Sequence, residues 1–174
     1  MNKITCILGV ILFCFGIDNL NGQAEAKGDD EVYLKKSTDF YRKKDLDSAL
    51  FYVNLSIKLN SSNDVAYFRR SLIQEKLMNP SGTFEDLTTA IRLNPRPIYY
   101  NNRGLLYTFR ENYESALFDF DQAIVLDSSY GLSYYNKGSA LYYMGELSDA
   151  CLEMQKAQYY EIDGSQEFLT EFCK

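Results

Sequence analysis

Residues Pro97 to Tyr130 read PIYYNNRGLLYTFRENYESALFDFDQAIVLDSSY, and this stretch decides the fold. Tyr100, Gly104 and Tyr107 fall at i, i+4 and i+7, one stripe of a helix. The pattern breaks at Arg110, Glu111 and Asn112, then restarts with Ala116, Phe120 and Ala123 at the same spacing. Asn112 can cap the second helix, because its side-chain oxygen can accept the open amides of the first turn. The stretch therefore predicts two antiparallel helices of about fourteen residues joined by a turn. Each stripe combines a bulky ring with a very small residue. A ring on one helix can sit against Gly or Ala on its neighbour and draw the axes toward the short end of the roughly 8–10 Å range.

The same unit recurs along the chain. Gly104 aligns with Gly138, Ser71 and Ser37, Ala116 with Ala150, Thr83 and Ala49, and Ala123 with Ala157, Ala90 and Ser56. The bulky columns agree: Tyr33, Tyr67, Tyr100 and Tyr134 in the first helix, then Val53, Leu87, Phe120 and Met154 in the second. The spacing is 33 or 34 residues throughout.

On these residues the chain resembles the tetratricopeptide repeat (TPR) family in four tandem copies, at about 30–63, 64–96, 97–130 and 131–164. The fragments NRGLLYTFRENYESALFDFDQAIVLD, NKGSALYYMGELSDACLEMQKA and GTFEDLTTAIRLNP carry the resemblance. Ser37 and Ser71 stand where the family favours Gly, Pro80 replaces a usual aromatic or Leu, and Pro95 is the only repeat-ending proline. The resemblance implies an all-α, right-handed superhelical solenoid of antiparallel helix pairs over residues 27–174. Residues 165–174 form its capping helix, since Phe168, Leu169 and Phe172 give QEFLTEFCK one apolar face to cover the last repeat.

Composition agrees with a helical domain: 174 residues, 46% hydrophobic, 15% aromatic and only three prolines. The net charge of −6 argues against non-specific nucleic-acid binding, which needs a basic footprint. From Lys27 to Ser62 there are 7 basic and 6 acidic residues, from Asn63 to Arg96 5 and 4, and from Pro97 to Lys174 5 and 12. The acidity thus belongs to the C-terminal half. Lys35, Lys36, Arg42, Lys43 and Lys44 form a local basic cluster, read either as solvated surface or as a site for an acidic ligand.

Residues 1–26 read as a signal peptide. Lys3 gives a positive start, Ile4 to Ile17 is an apolar run of 14 residues, and GQAEA offers cleavage after Ala24 or Ala26. The run is short against the roughly 20 residues that span a bilayer. An uncleaved anchor is the alternative. The reading places the protein outside the cytoplasm, periplasmic or secreted. Of four cysteines, Cys6 and Cys14 leave with the signal. Cys151 and Cys173 then either form one disulfide that staples the end of the stack or stay as two buried thiols.

Histidine is absent, which removes Ser–His and Cys–His catalysis and the commonest metal ligand. There is no glycine-rich phosphate loop and no paired-cysteine metal spacing. Asp119 and Asp121 lie on a repeat helix without the loop spacing of a calcium site. Neither an enzyme activity nor a cofactor is expected. The resemblance implies instead that the first helices line a concave groove for a protein or peptide partner, and that the protein serves as an adaptor or assembly factor. The groove residues on that reading are Leu34, Tyr41, Phe68, Arg69, Leu72, Asn101, Asn102, Leu105, Phe109, Tyr135, Asn136 and Tyr142. Rings there would bury area while the amides of Asn102 and Asn136 bond a peptide backbone. Tyr135, Tyr142 and Tyr143 also admit a glycan-binding reading. The family's chaperone-carboxylate clamp is not expected, because Leu34 and Thr38 occupy its places in the first copy.

Overall fold

The computed structural model describes residues 28–173; the signal segment expected over 1–26, with Cys6 and Cys14, lies outside them. Nine helices follow in chain order, all α, among the described residues. They are α1 (Asp29–Arg42), α2 (Leu46–Leu59), α3 (Asp64–Lys76), α4 (Pro80–Leu93), α5 (Pro97–Phe109), α6 (Tyr113–Leu126), α7 (Gly131–Met144), α8 (Leu147–Tyr159) and α9 (Ser165–Phe172). The first eight form four antiparallel pairs stacked in sequence as a solenoid, and α9 packs on α8 as the cap. None of these helices is long and apolar enough to cross a membrane.

The helix starts follow from side-chain caps. Asp45, Asn63, Asn79 and Asn112 each accept a hydrogen bond from the backbone amide three residues on, which supplies one of the partners that a helix start lacks. Pro80 sits at the first position of α4, where its missing N–H costs nothing. The turn between the two helices of a pair uses one left-handed residue: Lys44 (φ 63°), Met78 (φ 57°), Glu111 (φ 57°) and Gly145 (φ 85°), again 33 or 34 residues apart. Only the fourth copy places glycine there. A Cβ in this conformation costs roughly 1–2 kcal/mol, so Glu111→Gly is expected to raise stability by about 1 kcal/mol, read as a higher urea midpoint.

Packing is set by the small columns. Ser37, Ser71, Ala49, Thr83, Ala116, Ala150, Ser56, Ala90, Ala123 and Ala157 are all buried, as are Gly104 and Gly138. Val53, Leu87, Phe120 and Met154 fill the space between them at 1% exposure or less. A Cβ at Gly104 would stand 2.6 Å from the Phe120 ring, so glycine is what permits that approach. The core is therefore a series of local clusters. Val53 and Ile73 pack between the first two pairs, Ile91 and Tyr99 between the second and third, and Phe120 with Ala140 between the third and fourth. At the end of the stack Cys151 of α8 and Cys173 after α9 are joined as a disulfide, Cα–Cα 5.8 Å.

A second column stitches the pairs together. Arg70 donates to both Asp86 oxygens at 2.8 and 2.7 Å and to Asn54 at 2.9 Å. One repeat on, Arg103 holds Asp119 at 2.8 Å through two nitrogens and reaches Thr88 at 3.4 Å. In the last repeat Lys137 contacts Glu153 at 3.4 Å and Asp121 at 2.7 Å. Each cation thus ties its own first helix to the second helix of its own repeat and of the one before. In the first copy Lys36 stands over Tyr52 instead, 5.4 Å from the ring centre. The Asp86 and Asp119 carboxylates hold Arg70 and Arg103 above the ordinary arginine value, against the opposing effect of burial. Burial alone would pull Lys137 down, but its two carboxylate partners outweigh that and its pKa lies above the usual lysine value.

Candidate binding groove

The first helices α1, α3, α5 and α7 stand side by side, and recesses open between them. A pocket of about 430 Å³ lies between α3 and α5, within the size range of ligand sites. Leu72 and Glu75 of α3, Met78 and Asn79 of the turn, Pro80 and Leu87 of α4, and Asn102, Leu105, Leu106 and Phe109 of α5 line it. Phe109 and Met78 are 84% and 87% exposed at its rim. Large apolar side chains left this open are uncommon outside interaction surfaces when they cluster. Met78 is itself the left-handed residue of its turn.

Of the twelve expected groove residues, Leu72, Asn102, Leu105 and Phe109 come together in this pocket. Leu34 and Arg69 line a shallower recess of about 380 Å³ between α1 and α3. Tyr41 lines another, of about 440 Å³, with Arg42, Lys44, Leu46 and Lys76. The Arg69 guanidinium lies 5.8 Å from the Tyr41 ring centre, and burial draws its pKa below the usual arginine value.

The other five meet side chains of neighbouring elements. Phe68 packs on Tyr99 across the repeat boundary, the rings tilted and their centres 4.8 Å apart, because Tyr99 points back at the preceding pair. Asn101 is buried, and its oxygen accepts from Asn136 Nδ2 at 2.8 Å and Ser133 Oγ at 3.3 Å. The Asn136 amide is thereby committed to a neighbouring helix and not to open groove. Tyr135 closes over Gly164. Tyr142, 37% exposed, packs on Phe168 and Phe172 of the cap, centres 5.3 and 4.9 Å away, and lies 5.9 Å from the Tyr143 ring. Asn102 keeps its place on the pocket wall, with its amide donating to the Ile98 carbonyl at 2.7 Å.

The sequence reading missed Met78, Pro80 and Leu87, which wall the pocket from the preceding repeat. It also missed Tyr99, 1% exposed, whose hydroxyl donates to Asp64 at 2.8 Å while Arg96 bonds the same carboxylate at 3.1 Å. Burial first, and then the Asp64 carboxylate, push the Tyr99 hydroxyl pKa far above the ordinary tyrosine value. Among the described residues no cluster of His, Cys, Asp and Glu stands ready for a metal ion.

No family model matches the chain. Human tetratricopeptide repeat protein 13 is 29% identical over 120 residues, covering 69% of this chain and 14% of that protein. The lipoprotein NlpI homolog of Haemophilus influenzae is 30% identical over 105 residues, covering 60% of this chain and 33% of that one. The chain spans between 14% and 33% of the length of such curated relatives. Among solved structures MamA superposes with a TM-score of 0.72 at 18% identity, over 80% of this chain and 82% of that one. By its stacked helix pairs and these likenesses, the chain has the fold of tetratricopeptide repeat proteins, built as four tandem helix pairs and a cap.

Proposed function

We propose that the protein binds a protein or peptide segment along its first-helix groove and acts, outside the cytoplasm, as an adaptor or assembly factor. The observation that carries this is the pocket between α3 and α5, whose apolar wall of Leu72, Leu87, Leu105 and Leu106 ends in an exposed Phe109. An apolar pocket with a few polar groups such as Asn79 and Asn102 at its edge suits a side chain anchored beside a peptide backbone. The lipoprotein named among the relatives supports the location, as does the apolar run Ile4 to Ile17.

Photo-crosslinking capture by the full chain in its native envelope tests the reading. Phe109→Glu is expected to abolish capture with an unchanged melting temperature. Phe118→Glu, at a site 60% exposed on the second helix of the same repeat, is expected to leave capture intact. Equal capture by all three proteins would refute the groove.

A further inference from the structure

Two neighbouring recesses occupy equivalent places one repeat apart. The first is lined by Tyr41, Arg42, Lys44, Leu46 and Lys76. One repeat on, these positions become Glu75, Lys76, Met78, Pro80 and Phe109, and four of those five line the apolar pocket. Lys44 and Met78 share the left-handed turn conformation, so their side chains leave the backbone in the same direction. The same framework therefore carries three cations in one step and an apolar wall in the next.

The cations are short of counter-charge. No acidic residue is among the described residues lining the first recess. Arg42, its side chain 76% exposed, has only a loose contact with Asp39 at 3.9 Å. Beside it Arg69 lies over Tyr41, and its buried Nε has no hydrogen-bond partner among the described residues. Burial lowers the Arg69 pKa most, and the charge on Arg42 pushes the same way. The surplus positive field here contrasts with the C-terminal half, which holds 5 basic against 12 acidic residues from Pro97 to Lys174. An acidic segment would be drawn to the N-terminal end of the groove and repelled from the other.

We infer that the groove reads an extended peptide in which an acidic side chain lies about three residues from a bulky apolar one, since packed helices stand roughly 8–10 Å apart and an extended chain advances about 3.3 Å per residue. The carboxylate would sit among Arg42, Lys44 and Lys76, and the apolar side chain among Leu72, Leu105 and Phe109. Glu75 at the edge of the second pocket would disfavour a carboxylate there and so set the order. This inference rests on the groove reading and adds the chemistry of the partner.

The test is panning the full chain against a phage library of random dodecapeptides fused to the coat protein through their C-terminal ends, which removes any free terminal carboxylate. The expected winners carry Asp or Glu about two to four residues from Phe, Leu, Ile or Met, as the extended-chain spacing requires. Lys44 and Lys76 are exposed, so the double variant Lys44→Glu, Lys76→Glu should fold as the parent does, checked by melting. It is expected to bind those winners at least tenfold more weakly and to select peptides with Lys or Arg in the acidic place. Winners without an acidic residue, or unchanged affinity in the charge-reversed protein, would overturn this inference and leave the groove reading standing. If the parent protein enriches no peptide, both fall.

Discussion

Asp119→Ala is expected to lower the free energy of unfolding by about 3–5 kcal/mol, the usual result of removing one partner of a buried ion pair. The Asp119 side chain has no exposed surface, and its two oxygens take two hydrogen bonds from Arg103 at 2.8 Å. With the carboxylate gone, a guanidinium only 15% exposed keeps one long 3.4 Å hydrogen bond to Thr88 and the face of Tyr100, 5.7 Å from the ring centre. It must then stay charged in a poorly solvated place or pull out and break the packing of α5 on α6. The neighbouring Asp121 provides the contrast. Its side chain is 51% exposed, and Lys137 still has Glu153 when Asp121 is removed. Asp121→Ala should therefore cost at most about 1 kcal/mol. Urea denaturation followed by circular dichroism compares the two directly. A loss below about 1 kcal/mol for Asp119→Ala would mean that this ion pair does not hold α5 to α6. Replacing both partners, Arg103→Met with Asp119→Leu, should recover much of the loss, because two apolar side chains leave no charge stranded.

Phe120→Ala should cost a similar amount, about 3–5 kcal/mol. The ring is wholly buried, lies against Gly104 and packs with Ala116 and Ala140. In a stack each repeat is held to its neighbours through such contacts. Gly104 makes this a sharper test than a single truncation. In the parent, Gly104→Ala places a methyl 2.6 Å from the ring. The overpacking should outweigh the roughly 1 kcal/mol that Ala gains over Gly within a helix. In the Phe120→Ala background the ring is gone, and the same substitution should stabilise. A change of sign between backgrounds is a coupling that only contacting residues give. If Gly104→Ala has the same effect in both backgrounds, the two residues do not meet as described.

Much of the architecture can be read from the chain because it is written there four times. A single helix stripe is ambiguous, but Gly104, Gly138, Ser71 and Ser37 on one spacing are not, and all four are buried. The caps Asp45, Asn79 and Asn112 are equally local, since a cap depends only on the amide three residues ahead. The cation column was legible by the same logic. Lys36, Arg70, Arg103 and Lys137 recur at the repeat spacing, each sixteen residues before Tyr52, Asp86, Asp119 and Glu153. Reading Asp119 beside Asp121 as one acidic run hid it, although one is buried and the other exposed.

The groove was legible only in part, and the reason is physical. Periodicity tells which side of a helix faces away from its own partner helix, and it placed Leu72, Asn102, Leu105 and Phe109 on the open side. It does not tell what approaches that side from the next repeat or from the cap. Phe68 and Tyr142 lie on the same face as those four, yet Phe68 packs against Tyr99 and one side of Tyr142 packs against Phe168 and Phe172. Asn136 and Asn101 are both amides at groove-facing places, and each finds the other. The sequence by itself determined the repeat length, the helix pairs, their caps and the small-against-large packing within each pair, all of which depend on residues less than one repeat apart. Only the tertiary structure decided which open side chains stay open, because that depends on neighbours a full repeat away whose approach follows from the superhelical stacking of one pair on the next.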